Sequence, residues 1–105
     1  MTTYMILGKF TDKGAQDLAA VRRSHKAVDE AISRYKGRLV ARYYLFGEHD
    51  YVSIIEFPEE LTVLRGALAT ASGGLTRSAA YRAFTPDEFD TELNAAKEVL
   101  GAAQR

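Results

Sequence analysis

Two histidines stand out among the residues of this sequence that could do chemistry. His25 lies within a run of apolar residues. An unperturbed histidine has a pKa near 6.5, so this imidazole could transfer a proton close to neutral pH. The more ordinary role of such a residue is a half-buried ring hydrogen-bonded to a backbone carbonyl. His25 is therefore a candidate base or ligand contact, with a structural role as the alternative.

The second histidine belongs to a short polar segment, Gly47-Glu48-His49-Asp50, between two β-rich runs. We expect Asp50 to accept hydrogen bonds from turn amides and His49 to face solvent. The alternative is that both residues close the mouth of a pocket. Because His25 and His49 have no neighbouring cluster at metal-ligand spacing, the sequence predicts no metal site. It also has no phosphate-binding loop or serine-nucleophile motif, so we expect no cofactor.

Three further side chains are candidates for binding. Arg42 and Tyr44 share one face of a predicted strand, and Glu56 lies in the next strand. An arginine that points into an apolar space needs a partner. Glu56 would supply it, or else the carboxylate or enolate of a ligand. Tyr44 could hydrogen-bond a bound carbonyl, although tyrosines in strands more often pack with one end in water.

These residues are positioned by short apolar strands that alternate with amphipathic helices. Strands are predicted at residues 4–10, 38–46, 51–57 and 75–84. Between Leu18 and Tyr35, apolar residues recur three and four positions apart, which predicts a first helix. Thr11 or Asp12 is expected to cap it, and Gly37 to end it in the left-handed conformation.

Two more helices complete the predicted order. One begins at Pro58 and has the apolar stripe Leu61, Leu64, Leu68 and Ala71. The other follows Thr85, with Pro86 at its first position and Glu88 three residues after the cap. The order β-α-β-β-α-β-α is that of a ferredoxin-like α+β fold, βαββαβ with an extra C-terminal helix. We expect one domain over residues 1–105.

The first strand is apolar on both of its faces, and so is the third. Tyr4 and Ile6 alternate with Met5 and Leu7, whereas a sheet with one wet face would alternate apolar and polar residues. We therefore predict a homodimer, or a larger homo-oligomer, in which two sheets pack face to face as a dimeric α/β-barrel. The alternative is that the third helix folds under the sheet and covers it alone.

The composition excludes several classes of protein. The 105 residues include 14 Lys+Arg, 14 Asp+Glu and no cysteine. A chain without net charge is not a generic binder of nucleic acid or anionic membranes, and one without cysteine has no disulfide and no thiolate chemistry. The uncharged residues 66–76 are too few to span a bilayer. The first residues lack the basic start of a signal peptide, so we expect a cytoplasmic protein.

Three segments resemble the GYD-domain family. Gly47-Glu48-His49-Asp50 resembles its Gly-Tyr-Asp signature, with His49 at the usual tyrosine position, so a role of that hydroxyl does not carry over. Residues 10–14, Phe-Thr-Asp-Lys-Gly, resemble its Phe-Thr-Asp-x-Gly end of the first strand. Residues 82–89 resemble its closing Arg-Ala-Phe-Thr-x-Asp-Glu-Phe. The resemblance implies a dimeric α/β-barrel of bacterial or archaeal origin and no established reaction.

Two functions stay open at this point. In the preferred one, facing sheets enclose a mostly apolar cavity that binds an aromatic or polyketide-like molecule, with Arg42, Tyr44 and Glu56 as its polar contacts. His25 or His49 would lie near the entrance. Dimeric α/β-barrels include cofactor-free monooxygenases and small-molecule isomerases, which is a likeness of fold alone and leaves open whether the chain is an enzyme. In the alternative, a non-catalytic assembly or regulatory module, side chains fill the space between the sheets.

Overall fold

The computed structural model describes residues 1–58, 65, 66, 69 and 73–103. Within them lie β1 Thr2–Phe10, α1 Asp12–Gln16, α2 Leu18–Arg34, β2 Arg38–Tyr44, β3 Tyr51–Phe57, β4 Thr76–Ala83 and α3 Pro86–Ala103. The stripe predicted for the second helix, Leu61, Leu64, Leu68 and Ala71, lies outside the described residues. None of the helices in the described part of the chain has the length and apolar character needed to traverse a bilayer.

The four strands form one antiparallel sheet in the order β2-β3-β1-β4. The turn expected at residues 47–50 joins β2 and β3 as an antiparallel hairpin, and β2 and β4 lie at the two edges of the sheet. In a ferredoxin-like fold the second strand of each βαβ unit lies at an edge of the sheet, beside an inner strand. Here β2 lies beside β3, and β4 lies beside β1. The predicted α+β fold with an added C-terminal helix is therefore confirmed.

The predicted first helix is divided in two. Thr11 Oγ1 accepts the amide of Gly14 at 3.1 Å and caps α1. Asp17 Oδ1 accepts the amide of Ala20 at 3.0 Å and caps α2. A side chain that satisfies the free amides of a new helix start competes with continuing the old one. Asp17 therefore ends the short helix and begins the long one.

The end of α2 corrects the prediction for Gly37. The left-handed residue is Lys36, with φ of 62°, and the amide of Gly37 donates to the carbonyl of Ile32 at 2.9 Å. A Cβ atom at Gly37 would overlap the ring of Phe57. Gly37 is therefore required for close packing against β3, and the left-handed turn falls on the residue before it.

The two faces of the sheet have different environments. On the face toward α2, Tyr4, Ile55 and Phe57 are buried and pack with Ile32 in the main core. The opposite face carries polar residues such as Thr3, Lys9 and Glu56 toward its ends, and between them lie mainly apolar and aromatic side chains: Met5, Leu7, Ala41, Tyr43, Val52, Ile54, Ala79 and Tyr81. We call this surface the open face. Its central members are half-buried, and Tyr43 is 61% exposed. The predicted division of β1 and β3 into two apolar faces is confirmed.

Helix α3 extends away from the sheet. It begins with a capping box, in which the Thr85 amide donates to Glu88 Oε1 at 3.0 Å and the Glu88 amide to Thr85 Oγ1 at 3.1 Å. Every side chain from residue 86 to 100 is exposed. The chain measures 60 × 31 × 21 Å, with a radius of gyration of 17.1 Å, against about 13 Å for a compact domain of this length. The third helix therefore does not cover the open face.

A glycine in the middle of β1 makes room for a core tyrosine. Gly8 lies opposite Tyr51 in the β1–β3 pairing, and a Cβ atom at Gly8 would overlap the Tyr51 ring. That ring is 3% exposed and lies 4.6 Å from the His25 ring. We expect Gly8→Ala to lower the free energy of unfolding by about 1–3 kcal/mol, because the core is overpacked.

Urea denaturation measures this loss, with Gly101→Ala as the matched control. Gly101 lies in α3, where an added Cβ would have open space, and alanine is the better helix former by up to about 1 kcal/mol. Gly101→Ala should therefore leave stability unchanged or raise it. Equal midpoints for the two variants would contradict the packing of Tyr51 over Gly8.

Candidate binding site between helix α2 and the sheet

A set of polar side chains lies between α2 and the helix-facing side of the sheet. We call it the polar cluster: Arg22, His25 and Asp29 of α2, Arg42 and Tyr44 of β2, and Ser53 of β3. The three helical residues are spaced by three and four positions, which places them on one face of α2. The alternation of β2 turns Arg42 and Tyr44 toward that same helix.

The Arg42 guanidinium is held by two partners. Its Nη1 donates to Asp29 Oδ2 at 2.9 Å, and Nη2 lies 2.9 Å from Asp29 Oδ1. Its Nε donates to Ser53 Oγ at 3.0 Å. The Arg42 side chain is 8% exposed, so this ion pair joins α2 to two strands in a largely desolvated position.

The His25 ring is fixed by a tyrosine and not by the backbone carbonyl that we expected. Its Nδ1 lies 2.7 Å from Tyr44 Oη, which also accepts from Arg22 Nη1 at 2.7 Å. Burial, followed by the nearby charges of Arg42 and Arg22, lowers the pKa of His25 from 6.5 to about 4, with Asp29 opposing. At neutral pH the imidazole is therefore uncharged and a weak base. It is better suited to hydrogen bonding than to proton abstraction.

The buried histidine should make stability depend on pH. The pKa of His25 is about 4 in the folded protein and 6.5 ordinarily. Above 6.5 the ring is neutral in both states. Between the two values the unfolded chain binds a proton that the folded one does not, so stability falls as the pH falls. From pH 7 to pH 5 we expect this residue to account for a loss of about 2 kcal/mol.

Urea unfolding at the two pH values checks this expectation. His25→Gln should show a smaller loss between pH 7 and pH 5 than the unmodified protein. His49→Gln, the matched substitution outside the polar cluster, should keep the full loss. The expectation fails if the His25→Gln and His49→Gln variants respond identically to pH.

Glu56 does not join Arg42, which corrects a prediction from the sequence. In the β2–β3 register Arg42 lies opposite Ser53, and Glu56 is three residues further along β3. An odd spacing in a strand reverses the face. The Glu56 carboxylate instead accepts from Arg38 Nε at 3.0 Å, on the side of the open face. Arg42 and Tyr44 consequently face α2 and not the space between two sheets.

Asp50 connects the β2–β3 turn to β1. Its Oδ2 accepts the amide of Phe10 at 2.7 Å, and its own amide donates to the carbonyl of Gly8 at 2.8 Å. It accepts an amide as predicted, but one from the neighbouring strand and not from the turn. Among the described residues, His49 is half-buried in the same turn and forms none of the hydrogen bonds of the polar cluster.

Three members of the polar cluster were not among the predicted site residues: Arg22, Asp29 and Ser53. Arg22 and Asp29 lie three positions before and four after His25, so the helical period places them beside it. Ser53 occupies an inward position of β3 between Tyr51 and Ile55, and an inward polar residue needs a partner. In the described part of the chain, no group of three or more His, Asp or Glu side chains is arranged to hold a metal ion.

Comparison with known proteins adds two findings. The sequence model of a family described as "GYD domain" matches residues 4–93. A protein of Thermus thermophilus is 34% identical over 79 residues, which are 74% of this chain and 83% of that protein. It is named "Glutamine synthetase and cystathionine beta-lyase binding protein". The family match spans α2, β2 and β3, the elements that carry the polar cluster.

Proposed function

The chain belongs to the GYD domain family, and from that premise we propose that it is a non-catalytic binding module that assembles with itself and binds another protein. The family match over residues 4–93 confirms the resemblance identified from three short segments. The relative at 34% identity is named for binding two enzymes. That name favours the assembly or regulatory interpretation over a cofactor-free oxygenase or isomerase.

Self-association is supported above all by the open face. Strands 4.8 Å apart and 3.3 Å per residue give a four-stranded face of about 19 by 23 Å, or roughly 440 Å². Met5, Leu7 and Ile54 lie near its centre, and α3 does not cover it. The largest exposed apolar patch of a monomeric protein is commonly about 300–600 Å² and is often functional, so this face is the natural candidate for an interface. A second copy, packed sheet against sheet about a two-fold axis, is the occupant that we propose.

Helix α3 offers a second apolar surface to the same partner. Phe89, Leu93, Ala96 and Leu100 recur at spacings of four and three, so they form one stripe. Phe89 and Leu100 are each 60% exposed. An 18-residue helix is about 27 Å long, long enough to reach along a neighbouring sheet. The open face and this stripe together approach the ~800 Å² per partner of a stable interface.

The arrangement of polar groups favours binding over catalysis. The His25 imidazole is neutral, with its pKa lowered to about 4. Arg42 is paired with Asp29, and Asp50 with the Phe10 amide. Arg42 and Tyr44, which were expected between two sheets, therefore lie on the helix side, and Glu56 is paired with Arg38. Apolar side chains of two open faces would then fill the space between them.

The protein-binding part of the proposal is tested with purified enzymes. The probes are the glutamine synthetase and the cystathionine beta-lyase encoded by the same genome as this chain, with serum albumin as the unrelated control. Isothermal titration calorimetry should show saturable binding to at least one enzyme and none to albumin. If the assembled protein binds neither enzyme, or binds albumin equally, the proposed protein-binding function is wrong.

A further inference from the structure

A cavity of about 70 Å³ lies between α2 and the sheet, on the side away from the open face. A cavity needs about 10–15 Å³ by this measure to hold one water, so there is room for about five or six water-sized groups. Six lining residues define its chemistry: Ile6, Val28 and Ile55 on the apolar wall, and His25, Arg42 and Ser53 on the polar wall. The polar cluster therefore contributes three side chains to a space that is otherwise lined mainly by apolar residues, with Ser78 as a further polar one.

The hydrogen bonds of the polar cluster favour one tautomer of the His25 ring. Arginine can only donate, so Tyr44 Oη accepts from Arg22 Nη1. The O–H of the phenol is then best placed to donate to His25 Nδ1, which lies 2.7 Å away. A neutral imidazole then carries its proton on Nε2. Nε2 is buried and has no hydrogen-bond partner among the described residues, on a side chain that is 3% exposed.

The charges around the ring leave an excess of one positive charge. Arg22 and Arg42 are cations, Asp29 is an anion, and His25 is neutral because its pKa is about 4. Arg42 and His25 both line the cavity, whereas Asp29 does not. Arg42 is paired with Asp29, so the excess charge is that of Arg22, which does not line the cavity. A buried N–H donor in this net positive field favours an anionic acceptor.

We propose that this cavity binds a short aliphatic carboxylate. Its head would accept a hydrogen bond from His25 Nε2 near the Arg42 guanidinium, and its chain would pack against Ile6, Val28 and Ile55. A space of this volume suits a molecule of about six non-hydrogen atoms. The site lies on the opposite side of the sheet from the open face, so it is separate from the surface proposed for self-assembly.

The test uses the full chain labelled with ¹⁵N and three probes of matched shape: butyrate, butyramide and n-butylamine. The ring nitrogens of His25 are followed by long-range ¹H–¹⁵N correlation at pH 7. We expect a protonated Nε2 in the free protein and a saturable shift of its resonance with butyrate. Butyramide should bind at least tenfold more weakly, and n-butylamine should cause no shift.

A pair of adjacent tyrosines supplies the matched variants. Tyr44→Phe removes only the hydroxyl that orients His25, from a side chain that is 45% exposed, so the fold should persist. We expect a mixture of both ring tautomers and at least fivefold weaker binding of butyrate. Tyr43→Phe, on the open face, should change neither.

Three results would overturn the proposal. The first is a proton on Nδ1 of His25 in the unmodified protein. The second is the absence of a saturable butyrate shift, as expected if Nε2–H instead points at the ring of Tyr51, which lies edge to face with it at 4.6 Å. The third is equal affinity for butyrate and n-butylamine. Each of these is distinguishable from a failure of the enzyme-binding experiment.

Discussion

Arg42→Ala is expected to lower the free energy of unfolding by about 3 kcal/mol. The substitution leaves the Asp29 carboxylate without its cation in a position that is one-third exposed and removes the donor to Ser53 Oγ. Breaking a buried pair from one side typically costs 3–5 kcal/mol, and the partial exposure of Asp29 places the expected loss at the lower end. The substitution also removes the contacts by which Arg42 connects α2 to β2 and β3.

The matched control is Arg38→Ala, which breaks a second arginine–carboxylate pair on the same strand. The Arg38 side chain is 68% exposed, so its pair with Glu56 should contribute no more than about 1 kcal/mol. Urea denaturation of both variants gives the comparison, and a double-mutant cycle of Arg42→Ala with Asp29→Ala isolates the coupling. Equal losses for Arg42→Ala and Arg38→Ala would contradict the burial of the Arg42 pair.

Ile54→Lys is expected to convert the proposed dimer into single chains. Ile54 lies in an inner strand of the open face, opposite Met5 on one side and Ala41 on the other. In a two-fold dimer the substitution buries two lysines, and each unpaired buried charge costs several kcal/mol. We therefore expect the dissociation constant of the dimer to rise by two orders of magnitude or more, as measured by sedimentation equilibrium.

Ala19→Lys is the control for this experiment. It adds the same charge at an exposed position of α2, on the other side of the molecule from the open face. The association of this variant should equal that of the unmodified chain. If Ile54→Lys associates as strongly as Ala19→Lys, the open face is not the interface.

The fold was predictable because local signals and global arrangement agree. The apolar alternation of β1 and β3, the helical stripe through Val21, His25 and Ile32, and the Thr85 capping box each specify one element. Details governed by tertiary contacts were not predictable. Gly37 is needed by the Phe57 ring and not by a left-handed turn, and the Asp17 cap divides the first helix.

The site was predictable by residue type but not by its partners. Arg42, Tyr44 and His25 do come together, since strand and helix periods place them on facing surfaces. The partner of Arg42 was not Glu56, because the register of β2 on β3 places Ser53 opposite it. That register depends on an irregularity between Leu39 and Ala41, where the chain slips by one residue. A prediction that continues the strict alternation of faces through this point therefore assigns the residues beyond it to the wrong face of the sheet.

The molecular mass of the unmodified protein in solution tests the central claim most directly. Sedimentation equilibrium at micromolar concentration should give twice the chain mass of 11.6 kDa, or a larger even multiple. Such a result would agree with a dimer in which the open faces of two chains pack against each other. A single species of 11.6 kDa that stays monomeric as the concentration rises would contradict the proposed self-association, because the open face would then be stable in contact with water.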